Sequence, residues 1–158
     1  MANERSYTGL RTFLRAYGVV TVALFSALFV GFTLQFPPLG EGGALNWFIW
    51  NGTQCGDQPC HVPPMLFSIY VVWGVFFLLA ARRPLAYMSF LNFTMVANFV
   101  HAMVMLGQAL LHLDHYWSKF FTDIPFTLGI ALGIYLLRPK SAESVEHLPA
   151  RQQRAPTE

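Results

Sequence analysis

Charge is scarce in this chain. Only 11% of its 158 residues are Asp, Glu, Lys or Arg, where a soluble domain carries about 25%. A soluble globular domain is therefore excluded. Soluble-enzyme signatures are missing as well: there is no glycine-rich phosphate loop, no G-x-S-x-G and no H-E-x-x-H. No CaaX terminus marks a lipid anchor. Cysteine is limited to Cys55 and Cys60, spaced C-x-x-x-x-C rather than the C-x-x-C of a redox pair.

What the chain has instead is apolar length. With 54% hydrophobic residues and fifteen phenylalanines, it reads as one compact membrane bundle with no room for a second domain. A cytoplasmic segment is expected at 1–12, a four-span membrane domain at 13–138, and a disordered polar cytoplasmic tail at 139–158. The spans fall at about 14–36, 64–81, 88–113 and 117–138. The first apolar run is too long for a signal-peptide core and lacks a small-x-small cleavage site, so it reads as a retained span. Pro37-Pro38 ends it, Arg82-Arg83-Pro84 ends the second, and a turn of five residues makes spans two and three antiparallel neighbours.

The fourth span is short. Asp123 and Arg138 enclose 14 uncharged residues, about 21 Å of helix against a hydrocarbon core of about 30 Å. The helix is expected to start near Trp117 or Ser118, to bring Asp123 to the interface, and to free the carbonyl of Phe121 where Pro125 sits inside it.

Basic residues sort the loops. Arg5, Arg11, Arg15, Arg82, Arg83, Arg138, Lys140, Arg151 and Arg154 fall on one side and Lys119 on the other. By the positive-inside rule both termini are cytoplasmic, which in a bacterium means the inner membrane. The connection at 37–62 then faces outward. Its Leu45, Trp47, Phe48, Ile49 and Trp50 suit the headgroup region, and Cys55 and Cys60 read as a disulfide pinning that loop. Asn51-Gly52-Thr53 is a glycosylation sequon with meaning only in a eukaryotic secretory pathway.

Polar residues in the third span are ordered. Thr94, Asn98, His101, Met105, Gln108, His112 and His115 follow at steps of four and three, the spacing of one helix face. Such a seam is expected to turn inward, because lipid cannot satisfy amide and imidazole groups. Depth counting sets Asp123 opposite Gln108 or His112, and His101 level with Ser26 and Trp73.

Four chemistries come into consideration for these residues. A zinc or copper site would use His112, His115, Asp114 and Asp123, with His61 nearby; His101 and Met105 would suit copper. Bis-histidine haem is disfavoured, since the other three spans hold no histidine. A lipid or quinone pocket would be lined by Asn98, His101, Gln108, Asp123, Trp73 and Tyr70. An Asp–His pair inside a membrane also raises proton or ion conduction, which four spans without a repeat would manage only as an oligomer. Against these stands a structural role, in which polar contacts of about 0.6 kcal/mol each fix the helix register. The leading reading is a non-catalytic membrane subunit or small-ligand-binding bundle. Its partners would be the bilayer, a larger membrane complex or further copies of itself, and no nucleic acid.

Several short stretches resemble a family of small bacterial four-helix membrane proteins of unknown function. They are Phe13-Leu-Arg-Ala-Tyr-Gly18, Phe36-Pro-Pro38, Pro64-Met65, Ile69-Tyr70, Trp73-Gly74, Asn98-Phe-Val-His101-Ala-Met-Val-Met105, Gln108-Ala109 and Asp123-Ile-Pro125. The resemblance implies the four-helix fold and singles out Asn98, His101, Gln108 and Asp123. It implies no activity, and the Cys55–Cys60 loop is not part of the pattern.

Overall fold

A computed structural model describes residues 2–40, 42–45 and 62–138. The expected disulfide, the aromatic patch at 47–50, the sequon, His61 and the tail lie outside the described residues. The described chain is helical, with no strand. Helix α1 spans Ala2–Thr33, α2 Val62–Arg82, α3 Met88–Leu111, α4 Leu113–Tyr116 and α5 Asp123–Leu137. Three-ten turns at Pro37–Leu39, Pro84–Tyr87 and Trp117–Phe120 lie between them. Four segments, Tyr7–Thr33, Val62–Arg82, Pro84–Leu111 and Trp117–Leu137, are long and apolar enough to cross a bilayer. This is a multi-pass membrane protein. Exposed Val19, Ile69, Phe93 and Leu132 face lipid on its outside.

Helix α1 closes with a reciprocal cap. The Phe36 amide donates to the Gly31 carbonyl (2.8 Å) and the Gln35 amide to Phe32 (3.2 Å). Gln35 takes the left-handed conformation this motif requires, at φ 54°. The chain then folds back and seats Leu39 against α1, where only the absent side chain of Gly31 leaves room for it.

The fourth crossing departs from expectation in form. Trp117–Phe120 is three-ten, and α5 begins only at Asp123. Three-ten backbone rises about 2.0 Å per residue against 1.5 Å for α-helix, which extends a span that α5 alone would leave short. Pro125 consequently falls in the first turn of α5, where amides have no intrahelical acceptor, and it breaks nothing.

Packing is by pairs. Helices α1 and α2 run in close backbone contact, as do α3 and α5, and α1 also touches α5. Glycines set the closest approaches: a β-carbon on Gly18 would stand 3.1 Å from the Gly74 carbonyl oxygen, and one on Gly74 3.0 Å from the Val22 amide. The consecutive helices α2 and α3, expected as neighbours, meet instead through rings. Phe76 and Phe77 contact Phe90, and Trp73 stacks on Phe93. At the α5 terminus, Arg138 donates to Asn92 Oδ1 (3.1 Å) on α3.

The core has an asymmetry that positions everything else. At the end where α1 begins, one cluster draws on all four long helices: Leu10 and Leu14, Phe77, Ala80 and Ala81, Leu91, Ile130 and Ile134. Toward the other end it divides. Leu28, Leu39 and Phe67 join only the α1–α2 side, whereas Met105, Ala109 and Ile124 join only α3 and α5.

Candidate functional site

Where the core divides, a layer of paired polar groups joins α2 to α3 and forms the floor of the divided end. Trp73 Nε1 donates to Thr94 Oγ1 (2.9 Å), and Asn98 Nδ2 donates to the Thr94 carbonyl (2.9 Å). Thr94 is fully buried. The indole is held by Phe93 on one side and Tyr70 on the other, and Tyr70 stacks on Phe25 of α1 at 4.5 Å. Buried indole and hydroxyl groups need such partners, because leaving one unpaired costs about 1–3 kcal/mol.

Above that floor the pairing stops. At about 100° per residue, His101 and Gln108 share the α3 face that carries Phe90 and Thr94, and those two residues meet α2 lower down. Yet both His101 and Gln108 are exposed. Helix α2 has therefore left α3 by this level. Leu66, seven residues before Trp73 and on the same face of α2, is half-buried at this level.

A carboxylate from the third wall completes the site. Asp123, at the start of α5, pairs with Lys119 (3.6 Å) and lies within electrostatic reach of both His101 and Tyr70. Three helices thus contribute a phenol, an imidazole and a carboxylate, the carboxylate within electrostatic reach of the other two. Among the described residues, the Tyr70 hydroxyl, the His101 ring and the Gln108 amide have no hydrogen-bond partner. Within a hydrocarbon slab, ionisable and amide groups in that condition are costly and mark places where something else binds.

The expected site residues divide accordingly. Trp73 and Asn98 meet at Thr94, Tyr70 stacks on Trp73, and Gln108 lies on the same face of α3 as His101. The seam does not turn inward as a whole: Thr94 and Met105 are buried, but His101, Gln108 and His112 are exposed. Asp123 lies within electrostatic reach of His101 and Tyr70. Trp73 is level with Thr94, about 10 Å below His101. Met105 is buried with Ala109 and Ile124, whereas His101 is exposed.

His112 and Asp114 are exposed beyond the end of α3. Among the described residues no three His, Cys, Asp or Glu side chains gather as metal ligands; that description does not include the side chain of His115.

One arrangement escaped the sequence reading. Tyr17 donates to the Phe126 carbonyl (2.6 Å), and its hydroxyl occupies the space above Gly129, while the Phe13 ring occupies that above Gly133. This locks α1 onto α5. Its signal was available: two glycines four apart, a spacing that favours close helix contact.

Compared with known proteins, a model of a family of unknown function (DUF6632) matches residues 15–155, in agreement with the resemblance read from the sequence. No curated protein and no solved structure matches the chain.

Proposed function

We propose, from the premise that this chain belongs to the DUF6632 family of unknown function, that it is a non-catalytic membrane protein that holds a small amphiphile, a quinone or lipid, between α2 and α3 at the divided end. One observation carries the reading: the buried core separates into an α1–α2 cluster and an α3–α5 cluster, bridged by the Phe25–Phe126 ring contact, toward the end where Asp123 lies within electrostatic reach of Tyr70 and His101. A head group with carbonyl or hydroxyl oxygens would accept from the Tyr70 O–H and the His101 N–H. Its tail would leave past Leu66 and Val104 into the bilayer. The ligand site faces the outer leaflet, with both termini in the cytoplasm of a bacterial cell.

The test is extraction and titration. Protein purified in mild detergent is extracted with organic solvent and the extract analysed by mass spectrometry. Delipidated protein is then titrated with a short-chain quinone, following tryptophan fluorescence. Each lost hydrogen bond is worth about 1 kcal/mol, so His101→Ala and Tyr70→Phe should each weaken binding about fivefold. An empty extract together with a titration identical in wild type and variants would sink the proposal.

A second reading draws on the same exposed groups. His101 and Gln108 would be equally well covered by another chain, which makes the protein a subunit of a larger membrane assembly or oligomer. Cross-linking in native membranes separates the two, since covering by a partner gives a discrete larger species. Elemental analysis and a visible spectrum of the same preparation test the copper, zinc and redox alternatives.

A further inference from the structure

On the opposite flank and at the opposite end, we infer that the groove between α1 and α2 holds the head group of an anionic phospholipid, clamped by Arg11, Arg15 and Arg82.

The placement follows from contacts already described. On α1, Gly18 faces α2, while Phe13 and Tyr17 turn to α5. Counting about 100° per residue, Arg11 and Arg15 fall about 20° and 60° from Gly18, on the flank away from α5. On α2, Gly74 faces α1 and Trp73 turns to α3. Arg82 falls about 80° from Gly74, on the flank away from α3. Those two flanks adjoin, because α3 and α5 cover the other side of the α1–α2 pair. The antiparallel register, with Gly74 set between Gly18 and Val22, brings Arg82 to the height of about residues 10–14, beside Arg11.

Charge and exposure then select the occupant. All three guanidinium-bearing residues are exposed. Among the described residues none has an acidic partner or a hydrogen bond, the one ion pair there being Lys119–Asp123 at the far end. Three unneutralised forks around one groove suit a phosphate, which guanidinium binds through two parallel N–H···O bonds. Immediately above, the same flank is apolar and exposed, with Val19 and Val75 bordering the Leu78 side chain that lies over Gly18. A phosphate joined to acyl chains satisfies both halves of the groove, whereas a free anion satisfies only one.

Delipidated full-length protein is incubated with phosphatidylglycerol or with phosphatidylcholine, and bound lipid is counted by native mass spectrometry. The wild type should retain phosphatidylglycerol preferentially. Each arginine near an anionic head group contributes about a fivefold preference, so Arg15→Gln and Arg82→Gln should each lower occupancy by about that factor. Arg83→Gln removes the same charge from the neighbouring position outside the groove and should leave it unchanged. Equal retention of both lipids by the wild type overturns the proposal, however the variants behave. An equal loss in Arg83→Gln reduces the effect to diffuse surface charge and overturns it too, as does full displacement of the lipid by millimolar inorganic phosphate.

Discussion

The hydroxyl of Thr21 is 2% exposed and has no hydrogen-bond partner, at the point where α1 meets Gly74. Other threonines of the bundle avoid this. Thr33 donates to the Phe29 carbonyl (2.6 Å) and Thr127 to that of Asp123 (2.8 Å). An unpaired buried hydroxyl carries a desolvation penalty of about 1–3 kcal/mol. Thr21→Val keeps the shape and removes the penalty, so the variant should melt higher in detergent, by about 1 kcal/mol of added stability. A clear loss of stability would instead mean that the hydroxyl is bonded. Nothing in the sequence distinguishes Thr21 from Thr127, since each sits in an apolar helix, yet only Thr127 bonds carbonyls of its own helix. His101 is the opposite case. Its residue type and its place near the middle of an apolar span were sufficient to single it out, because burying imidazole in lipid is costly wherever the helices go.

At the scale of elements, the α1–α5 contact depends on two aromatic residues four apart meeting two glycines four apart. A β-carbon at Gly133 would overlap the Phe13 ring, and one at Gly129 would displace the Tyr17 hydroxyl from the Phe126 carbonyl. Gly133→Ala should therefore destabilise the bundle by about 1–3 kcal/mol, as overpacking does. The same substitution in a Phe13→Leu background should cost much less, and the coupling in that double-mutant cycle is the measurement. If Gly133→Ala costs the same in both backgrounds, the ring and the glycine do not face each other. Helix ends were legible wherever proline or arginine intervened, as at Pro37 and Arg82. The three-ten stretch at Trp117–Phe120 was not, because its residues carry no turn signal and the geometry follows from how much bilayer α5 leaves uncrossed.

For the whole molecule, four crossings would place both termini on the same side, and the nine basic residues grouped with them against Lys119 opposite are the ground for proposing that this side is the cytoplasm. A green fluorescent protein fused after residue 158 should fluoresce, and alkaline phosphatase fused there should be inactive. Alkaline phosphatase inserted after Gly43 should be active. The reverse pattern would invert the bundle and move the proposed lipid groove to the outer leaflet. The division of the core belongs to this scale as well. It leaves the arginine end cross-packed by all four long helices and the other end as two helix pairs, so ligand-induced closure is expected at the divided end alone.

Sequence by itself determined the number of crossings, the helical class, the family and the residue types that stand out in an apolar setting. Those follow from transfer free energies and helix periodicity, which are local. Tertiary structure decided which side of the seam is covered. Thr94, Asn98 and His101 share a single periodicity, yet Thr94 is buried under Trp73 and His101 is exposed, because α2 packs along α1 through Gly18 and Gly74 and so departs from α3. Periodicity specifies a face; only the path of the neighbouring helix specifies what that face meets.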